Sequence, residues 1–231
     1  MKTVLVTGTD TGVGKTWVTA LLIRQLRLRG WRTGAYKPVC SGADRSAPGE
    51  AIWTDVETLR AACDHSPPID LICPQRFHAP VAPNVAAHCE GRAVDDERLF
   101  NGVRDWEPLV DWLVIEGAGG IYSPLSNCST TMDLATVLSP MVIIVAANRL
   151  GVINHTRLTV EALRYRKAAI AAIVLNNISE PSPLPQDYST DSNAAQLLQW
   201  IPGIPLFQCQ WRSDVLLSLT NASDLVELLE R

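Results

Sequence analysis

The chain has 231 residues, a mass of 25.2 kDa and a formal net charge of −4, with 47% hydrophobic and 19% charged residues. This composition is typical of a soluble globular protein and excludes a disordered, fibrous or disulfide-stapled class. The length predicts one compact domain over residues 1–231. The acidic pI, near 5.6, argues against nucleic acid or an acidic membrane as a partner.

The cysteines and the N-terminal residues indicate the compartment. The six cysteines never form a CxxC pair and never cluster with histidine at metal-ligand spacing, which argues against a zinc site. No apolar stretch approaches the roughly eighteen residues that cross a bilayer. Residues 1–7 run directly into a structural motif rather than a targeting segment. We therefore expect a cytoplasmic protein with reduced thiols.

The first elements predict a strand, a glycine loop, a helix and a second strand. Residues 4–6 are a short aliphatic run, and residues 14–29 have apolar spacing of the helical type that ends at Gly30. A second short strand is predicted over residues 32–39. Together these elements make one βαβ unit.

The next segment is predicted to be mostly irregular. Residues 41–50 form a polar loop in this interpretation, and Thr54 is expected to cap a short helix. The proline-rich stretch 66–83 is predicted to be a surface connection, because proline is excluded from the interior of regular elements.

Strands and helices alternate through the rest of the chain. Continuous apolar runs of strand length indicate strands buried on both faces, at residues 112–115, 141–147 and 168–175. Helical spacing is found at residues 132–138, 155–163 and 194–200, with a loop at 181–185. The fold class is therefore α/β: a single-domain P-loop fold with a doubly wound, mostly parallel sheet flanked by helices.

The glycine loop after the first strand has the features of a phosphate-binding loop. It reads Gly8-Thr9-Asp10-Thr11-Gly12-Val13-Gly14-Lys15-Thr16 and lies between a buried strand and a helix N-terminus. Glycines let backbone N–H groups turn toward phosphate oxygens, Lys15 reaches the terminal phosphates, and the Thr16 hydroxyl is a ligand for Mg²⁺. The alternative is a glycine turn with Lys15 as a solvated charge. The strict pattern has glycine where this chain has Thr9.

Three oxygen donors are candidates for a magnesium site. Glu116 ends a hydrophobic strand, at the edge of a parallel sheet where ligands bind, and Asp55 follows the second strand. With Thr16 they make the oxygen-rich set that Mg²⁺ prefers. For Asp55 the alternative is an ordinary carboxylate in the first turn of a helix.

Lys37 is a candidate catalytic cation. It lies at the end of the second strand, on the same edge of the sheet, and only four of the 20 basic residues are lysine. An ammonium there would neutralise charge that develops on a transferring phosphate. The alternative is a solvated lysine at a strand end.

Taken together, five segments resemble the dethiobiotin synthetase family in their order and spacing, over nearly the whole chain. They are Gly8 to Thr16, Tyr36-Lys37-Pro38-Val39 with Ser41-Gly42, Glu116-Gly117-Ala118-Gly119-Gly120, Leu150-Gly151-Val152-Ile153-Asn154-His155 and Leu175-Asn176-Asn177. Members of this family form the ureido ring of dethiobiotin from 7,8-diaminononanoate, CO₂ and ATP. The route passes through a carbamate and its phosphorylated anhydride, and ADP and phosphate are released.

The resemblance implies a role for each matching residue. Lys15 and Lys37 would stabilise phosphoryl transfer. The nucleotide would be held by Gly12, Val13, Gly14, Lys15, Thr16, Trp17, Asp55, Glu116, Gly117, Ala118, Gly119, Asn176 and Asn177, and Mg²⁺ by Thr16, Asp55 and Glu116. The diamine or its carbamate would contact Thr11, Lys37, Ser41, Gly151, Val152, Ile153, Asn154 and Tyr188. The resemblance also implies a homodimer with the substrate site at its interface.

Some positions depart from the family pattern, and one other class of protein competes with it. The chain reads Phe207-Gln208-Cys209-Gln210-Trp211 where relatives often have a Gly-Glu-Ile-Pro-like turn near the base. A ParA/MinD-like switch ATPase shares the loop and sheet, but such proteins have a lysine five residues before the loop lysine, and this chain has Asp10 there. It also lacks a basic C-terminal helix for a membrane or DNA, and we expect neither partner.

Overall fold

A seven-stranded sheet forms the centre of the computed structural model, which describes residues 1–47, 50–63, 67–180, 188–222 and 224–230. Its strands in chain order are β1 (Lys2–Gly8), β2 (Thr33–Tyr36), β7 (Trp112–Gly120), β8 (Met141–Ala147), β9 (Ile170–Asn176), β10 (Leu206–Cys209) and β11 (Leu216–Ser218). Two small sheets lie beside it, a parallel pair of β3 (Cys40–Ser41) with β6 (Arg76–Phe77) and an antiparallel pair of β4 (Asp44–Ala47) with β5 (Glu50–Ile52).

The described helices vary from one to four turns. They are α1 (Lys15–Leu28), α2 (Thr54–Ala62), α3 (Ile69–Ile72), α4 (Pro83–Cys89), α5 (Asp96–Asn101), α6 (Thr131–Val137), α7 (Val152–Tyr165), α8 (Asn193–Trp200) and α9 (Leu225–Glu230). Two 3₁₀ turns span Gly102–Trp106 and Tyr188–Asp191. In the part of the chain that the structure describes, no helix is long and apolar enough to span a membrane.

The strand order in the large sheet is β2-β7-β1-β8-β9-β10-β11. The first six strands of that row pair in parallel, and β11 adds to β10 in the antiparallel direction. The chain therefore moves from β1 to one side of the sheet and then to the other. Parallel strands that reverse their order of addition leave a crevice at their carboxyl ends, and β1 lies at that point.

The core lies on this sheet. Residues 4–6 of β1 and residues 142–146 of β8 have no exposed surface, as expected for strands covered on both faces. Helix α1 packs on β1, β2 and β7, while α7 packs on β8 and β9. The predicted class, a doubly wound and mostly parallel sheet flanked by helices, is confirmed.

The stretch 66–83, predicted to be a surface connection, is the main error of the sequence analysis. Its described part, from residue 67, contains α3 and β6, and Ile72, Cys73 and Phe77 are fully buried. The prolines do not prevent this, because Pro68 precedes the first residue of α3, where its missing N–H costs no helical hydrogen bond.

Smaller differences concern the boundaries of elements. The second strand ends at Tyr36, so Lys37 comes just after it, and the predicted polar loop 41–50 contains a short hairpin in its described part. Trp53, rather than Thr54, occupies the N-cap of α2. The loop predicted at 181–185 lies outside the described residues.

Candidate active site

The loop between β1 and α1 has the backbone shape of a phosphate cradle. Gly12 and Gly14 have φ of 72° and 85°, in the left-handed region where only glycine is unstrained. Gly14 is the N-cap of α1, so the positive end of the helix dipole lies at this loop. The Lys15 ammonium donates to the Asp10 carbonyl oxygen at 3.0 Å and is mostly buried. The solvated alternative for Lys15 is therefore wrong.

Lys37 lies in an ion cluster with two carboxylates. Its Nζ donates to Glu116 Oε1 at 2.8 Å and to Asp55 Oδ2 at 2.5 Å. The side chains of Lys37 and Glu116 are 5% and 1% exposed, so the pair is removed from water, whereas Asp55 is half-exposed. Thr16 Oγ1 also donates to Glu116 Oε1, at 3.0 Å. The structure thus brings together Thr16, Asp55, Glu116 and Lys37, and the solvated alternative for Lys37 is wrong.

The electrostatics of the cluster favour the charged forms of Lys37 and Asp55. Burial would lower the pKa of Lys37, but the Glu116 and Asp55 carboxylates raise that pKa above its usual value. The pKa of Asp55 lies below its usual value, because the charge and hydrogen bond of Lys37 outweigh the effect of burial. Lys15 differs: burial lowers its pKa, and the neighbouring charge of Lys37 acts in the same direction.

A cavity of about 680 Å³ opens beside these charges. Eleven predicted site residues line it: Thr11, Gly12, Gly14, Lys15, Thr16, Lys37, Ser41, Asp55, Gly117, Ala118 and Gly119. The remaining wall is formed by residues that the sequence analysis did not single out for the site, mainly Pro80, Val81, Ala82, Pro83, Ser123 and Pro124. We call residues 80–83 the proline wall. Ser41 Oγ donates to the Val81 carbonyl oxygen at 2.6 Å, and this hydrogen bond connects the proline wall to strand β3.

The residues after Glu116 continue β7 along the cavity. A Cβ at Gly117 would lie 2.5 Å from the Thr131 methyl group, at the start of α6. Gly119 has φ of 65°, and a Cβ there would lie 2.2 Å from Ser123 Oγ. Both positions therefore require glycine: Gly117 allows β7 to approach the start of α6 closely, and Gly119 allows the same strand to approach Ser123.

The two asparagines predicted to hold the nucleotide have different surroundings. Asn176 is buried at the end of β9, and its Nδ2 donates to the Val13 carbonyl oxygen of the phosphate loop at 2.9 Å. Asn177 Nδ2 instead donates to Gln210 Oε1 at 2.6 Å, and its Oδ1 accepts from Asn148 at 2.8 Å. Gln210 belongs to the segment that departs from the family pattern. Trp17 packs nearby and donates from Nε1 to the Ser213 carbonyl oxygen at 3.1 Å.

The other predicted substrate residues lie at a second cavity, of about 630 Å³. Gly151, with φ of 94°, caps the N-terminus of α7, and Ile153 and Asn154 line this cavity, while Val152 is buried beneath it. Tyr188 is 79% exposed and precedes Ser189, which lines the same cavity. The residues lining the two cavities are entirely different, so one chain does not place this group around Lys37.

The sequence analysis also missed a buried asparagine network at the second cavity, which Asn193 helps to line. Asn193 donates to Asn148 Oδ1 at 2.9 Å and to the Arg149 carbonyl oxygen at 3.3 Å. Both asparagines are almost fully buried. The network fixes the segment that leads into α7. The only signal in the sequence was an amide directly after each of two buried strands, at Asn148 and Asn177.

Comparison with known proteins agrees with this geometry. A family model described as an AAA domain matches residues 2–209. A solved ATP complex of a Cyanothece McdA variant covers 93% of this chain and 84% of its own, with a TM-score of 0.51 and 14% identity, a likeness that concerns the fold alone. The fold and site together define a P-loop protein of the doubly wound α/β class.

Two relatives narrow the class. The ATP-dependent dethiobiotin synthetase of Anaeromyxobacter sp. (strain Fw109-5) is 44% identical over 85% of this chain and 84% of its own length. That of Anaeromyxobacter dehalogenans (strain 2CP-1 / ATCC BAA-258) is 42% identical over 93% of this chain and 92% of its own. The chain therefore belongs to the dethiobiotin synthetase family.

Proposed function

We propose that the chain is an ATP-dependent ligase that forms dethiobiotin from 7,8-diaminononanoate, CO₂ and ATP. The observation that carries the proposal is the first cavity, where the glycine loop with Lys15 meets Lys37 and its two carboxylates. One side of this cavity suits a triphosphate and leaves an adjoining space for a small acceptor.

The reaction has three bond-forming steps in this proposal. One amine attacks CO₂ and loses a proton to give a carbamate. A carbamate oxygen then attacks the γ-phosphorus of ATP, and the bond from that phosphorus to the bridging oxygen breaks to release ADP. The second amine then attacks the carbamoyl carbon, phosphate leaves, and the amine proton is lost. Lys15 and Lys37 stabilise the negative charge on the phosphoryl oxygens during transfer, since both lysines are almost fully buried and their charges are weakly screened.

We propose that Thr16, Asp55 and Glu116 hold Mg²⁺. Glu116 Oε2 is buried and has no hydrogen-bond partner among the described residues, so one carboxylate oxygen remains free for a ligand. Carboxylate and hydroxyl oxygens are the donors that Mg²⁺ prefers, and the residues present fit the ion. When bound, it would neutralise phosphate charge.

The nucleotide and diamine are assigned to the two cavities as follows. The backbone of residues 12–17 and of 117–119 surrounds the triphosphate, and Asn176 and Asn177 lie toward the base. Thr11 and Ser41 contact the diamine or carbamate in the first cavity. The substrate carboxylate is bound by the N-terminus of α7, through residues 151–154, with help from Tyr188.

This assignment requires two chains. Because residues 151–154 line a different cavity from Lys37, we propose a homodimer in which the second cavity of one chain completes the first cavity of its partner. Exposed apolar side chains beside the second cavity support an interface there, since Leu158 is 59% and Tyr188 is 79% exposed. We further propose that residues 1–231 form one domain and that the enzyme acts in the cytoplasm.

The decisive experiment is a product assay. The protein is mixed with Mg-ATP, bicarbonate and 7,8-diaminononanoate, and mass spectrometry is used to detect dethiobiotin and ADP in equal amounts. A matched reaction without the diamine should form almost no ADP. ATP consumption that ignores the diamine but rises with DNA or lipid vesicles would contradict the proposal and favour a switch ATPase.

A further inference from the structure

We propose that Asn176 is a positioning residue for the phosphate loop, beyond any contact it makes with the base. The inference rests on the proposed ATP site. Asn176 Nδ2 donates to the Val13 carbonyl oxygen at 2.9 Å, across 163 positions of sequence. Asn176 is 4% exposed and Val13 is 1% exposed, so this hydrogen bond is shielded from water.

The bond fixes the orientation of one peptide unit. In a trans peptide the carbonyl oxygen and the following N–H point in opposite directions. Holding the Val13 oxygen toward Asn176 therefore directs the Gly14 N–H to the opposite side. That N–H belongs to the loop whose donors the proposed function assigns to the phosphates, and Gly14 lines the first cavity.

The packing at Gly14 supports the same role. A Cβ at Gly14 would lie 2.1 Å from Asn176 Nδ2, a distance that no side chain tolerates, so the amide lies directly against the loop backbone. At Gly12, two residues earlier, an added Cβ would have no atom of the described residues within 4 Å. The contact is thus confined to the peptide that Asn176 holds.

Asn176 is itself fixed by the sheet. It is the last residue of β9, paired with Ala147 of β8 and Cys209 of β10, and its carbonyl oxygen accepts from the Asn148 backbone N–H at 2.8 Å. The Asn176 side-chain amide therefore ties the phosphate loop, which contains two glycines in the left-handed region, to the ends of three paired strands. A loop of that kind has many alternative conformations, and this hydrogen bond selects one of them.

The test separates loop positioning from base recognition by using a ligand without a base. Affinities for inorganic tripolyphosphate and for ATP, each with Mg²⁺, are measured for the wild type, Asn176→Ala and Gln75→Ala. We expect Asn176→Ala to weaken both ligands by about tenfold, the loss typical of one buried hydrogen bond. Gln75→Ala is the matched control, because it also removes a buried amide that donates to a backbone carbonyl oxygen, that of Asp95 at 3.1 Å, and both affinities should stay within about twofold.

A second measurement needs no ligand. Hydrogen exchange of the backbone amides in residues 9–16 should become faster in Asn176→Ala, while exchange in β8 stays as in the wild type, which separates a local change from general destabilisation. If tripolyphosphate binds the wild type too weakly to measure, the hydrogen-exchange result alone decides whether Asn176 positions the loop.

Unchanged tripolyphosphate affinity together with unchanged loop exchange in Asn176→Ala would overturn the proposal and leave Asn176 with base recognition alone. The proposed function is tested separately by dethiobiotin formation in the wild type. If the wild type forms no dethiobiotin but the loop still depends on Asn176, then the ligase assignment fails and this inference stands.

Discussion

Lys37 combines burial with two charged partners, and this sets what its removal should do. The ammonium is almost inaccessible to water and touches Glu116 and Asp55. A cation held in such a site needs no reorganisation when charge develops on a transferring phosphate, which is how fixed charges lower reaction barriers. In the proposed reaction its contribution would therefore be to the transition state more than to nucleotide binding.

We expect Lys37→Met to lower kcat for dethiobiotin formation by about 100-fold or more, while ATP affinity changes by less than about fivefold. Methionine keeps most of the length of the unbranched side chain and removes the ammonium group with its charge. Steady-state kinetics give kcat, and equilibrium binding gives the affinity. Lys167→Met, which removes an exposed lysine on a loop after α7, is the matched control and should retain wild-type turnover. Turnover near the wild-type value in Lys37→Met would refute the catalytic role of Lys37.

Lys15 should take up a proton when nucleotide binds at alkaline pH. Burial lowers its pKa in the free protein, so part of the population loses the ammonium charge as the pH rises through that lowered value. The phosphates of the nucleotide favour the charged form of Lys15 and raise its pKa again. Proton uptake is therefore confined to the pH range between the pKa of Lys15 in the free protein and its pKa in the nucleotide-bound protein.

Calorimetry of ATP binding in two buffers with different ionisation enthalpies measures that uptake directly. The uptake should disappear in Lys15→Met wherever binding remains measurable. Proton release by the wild type, or the same uptake in the variant, would show that another group titrates.

At the scale of elements, alanine substitutions at Gly12 and Gly14 of the phosphate loop can be compared to test the geometry of the loop. Both have positive φ, but only at Gly14 would an added Cβ meet a neighbour, at 2.1 Å from Asn176 Nδ2. Gly12→Ala therefore adds only backbone strain, about 1–2 kcal/mol. Gly14→Ala adds the same strain and also displaces the Asn176 amide.

We expect Gly14→Ala to lower the free energy of unfolding of the nucleotide-free protein by at least about 1 kcal/mol more than Gly12→Ala, since it also breaks a buried hydrogen bond. Urea unfolding of both variants, followed by circular dichroism, measures the difference. Equal losses would mean that Asn176 moves aside without cost.

Elements whose signals are local could be predicted from the sequence. Strand β8 was predicted at its observed bounds, because a continuous apolar run of strand length between Pro140 and Asn148 is typical of a strand buried on both faces. The convergence of Thr16, Glu116 and Lys37 followed from one rule, that parallel strands bring their carboxyl ends to a common edge.

The rest depends on contacts between distant segments, which no local pattern encodes. The proline wall faces the cavity because β6 pairs with β3, a two-residue pairing set by tertiary packing. The hydrogen bond from Asn176 to Val13 joins residues that are 163 positions apart in the sequence. The hydrogen bond from Asn193 to Asn148 joins residues that are 45 positions apart. Sequence analysis indicated which residue types were available but not which of them meet.

At the scale of the whole molecule, a site shared between two chains should show complementation. Lys37→Met damages the first cavity. Ile153→Pro removes a backbone N–H in the first turn of α7, where proline is tolerated, and so damages the second. Each variant alone should be nearly inactive.

Mixed, unfolded and refolded together, the two variants should recover about a quarter of wild-type activity. Random pairing puts half of the chains into heterodimers, and each heterodimer has one intact site of two. The same mixture without refolding is the control. If activity does not rise above the sum of the separate variants, then each chain contains its own complete site and the proposed interface is wrong.

The proline wall gives the first cavity two chemically unlike sides. Pro80 and Pro83 have no backbone N–H, and the N–H of Val81 is already bonded to the Ala79 carbonyl oxygen at 2.9 Å. Most of this face thus has no N–H to donate to an anion, whereas the glycine loop offers Lys15 and backbone N–H groups. In the proposed reaction the triphosphate would therefore occupy the loop side of the cavity, and the diamine would lie against the proline wall.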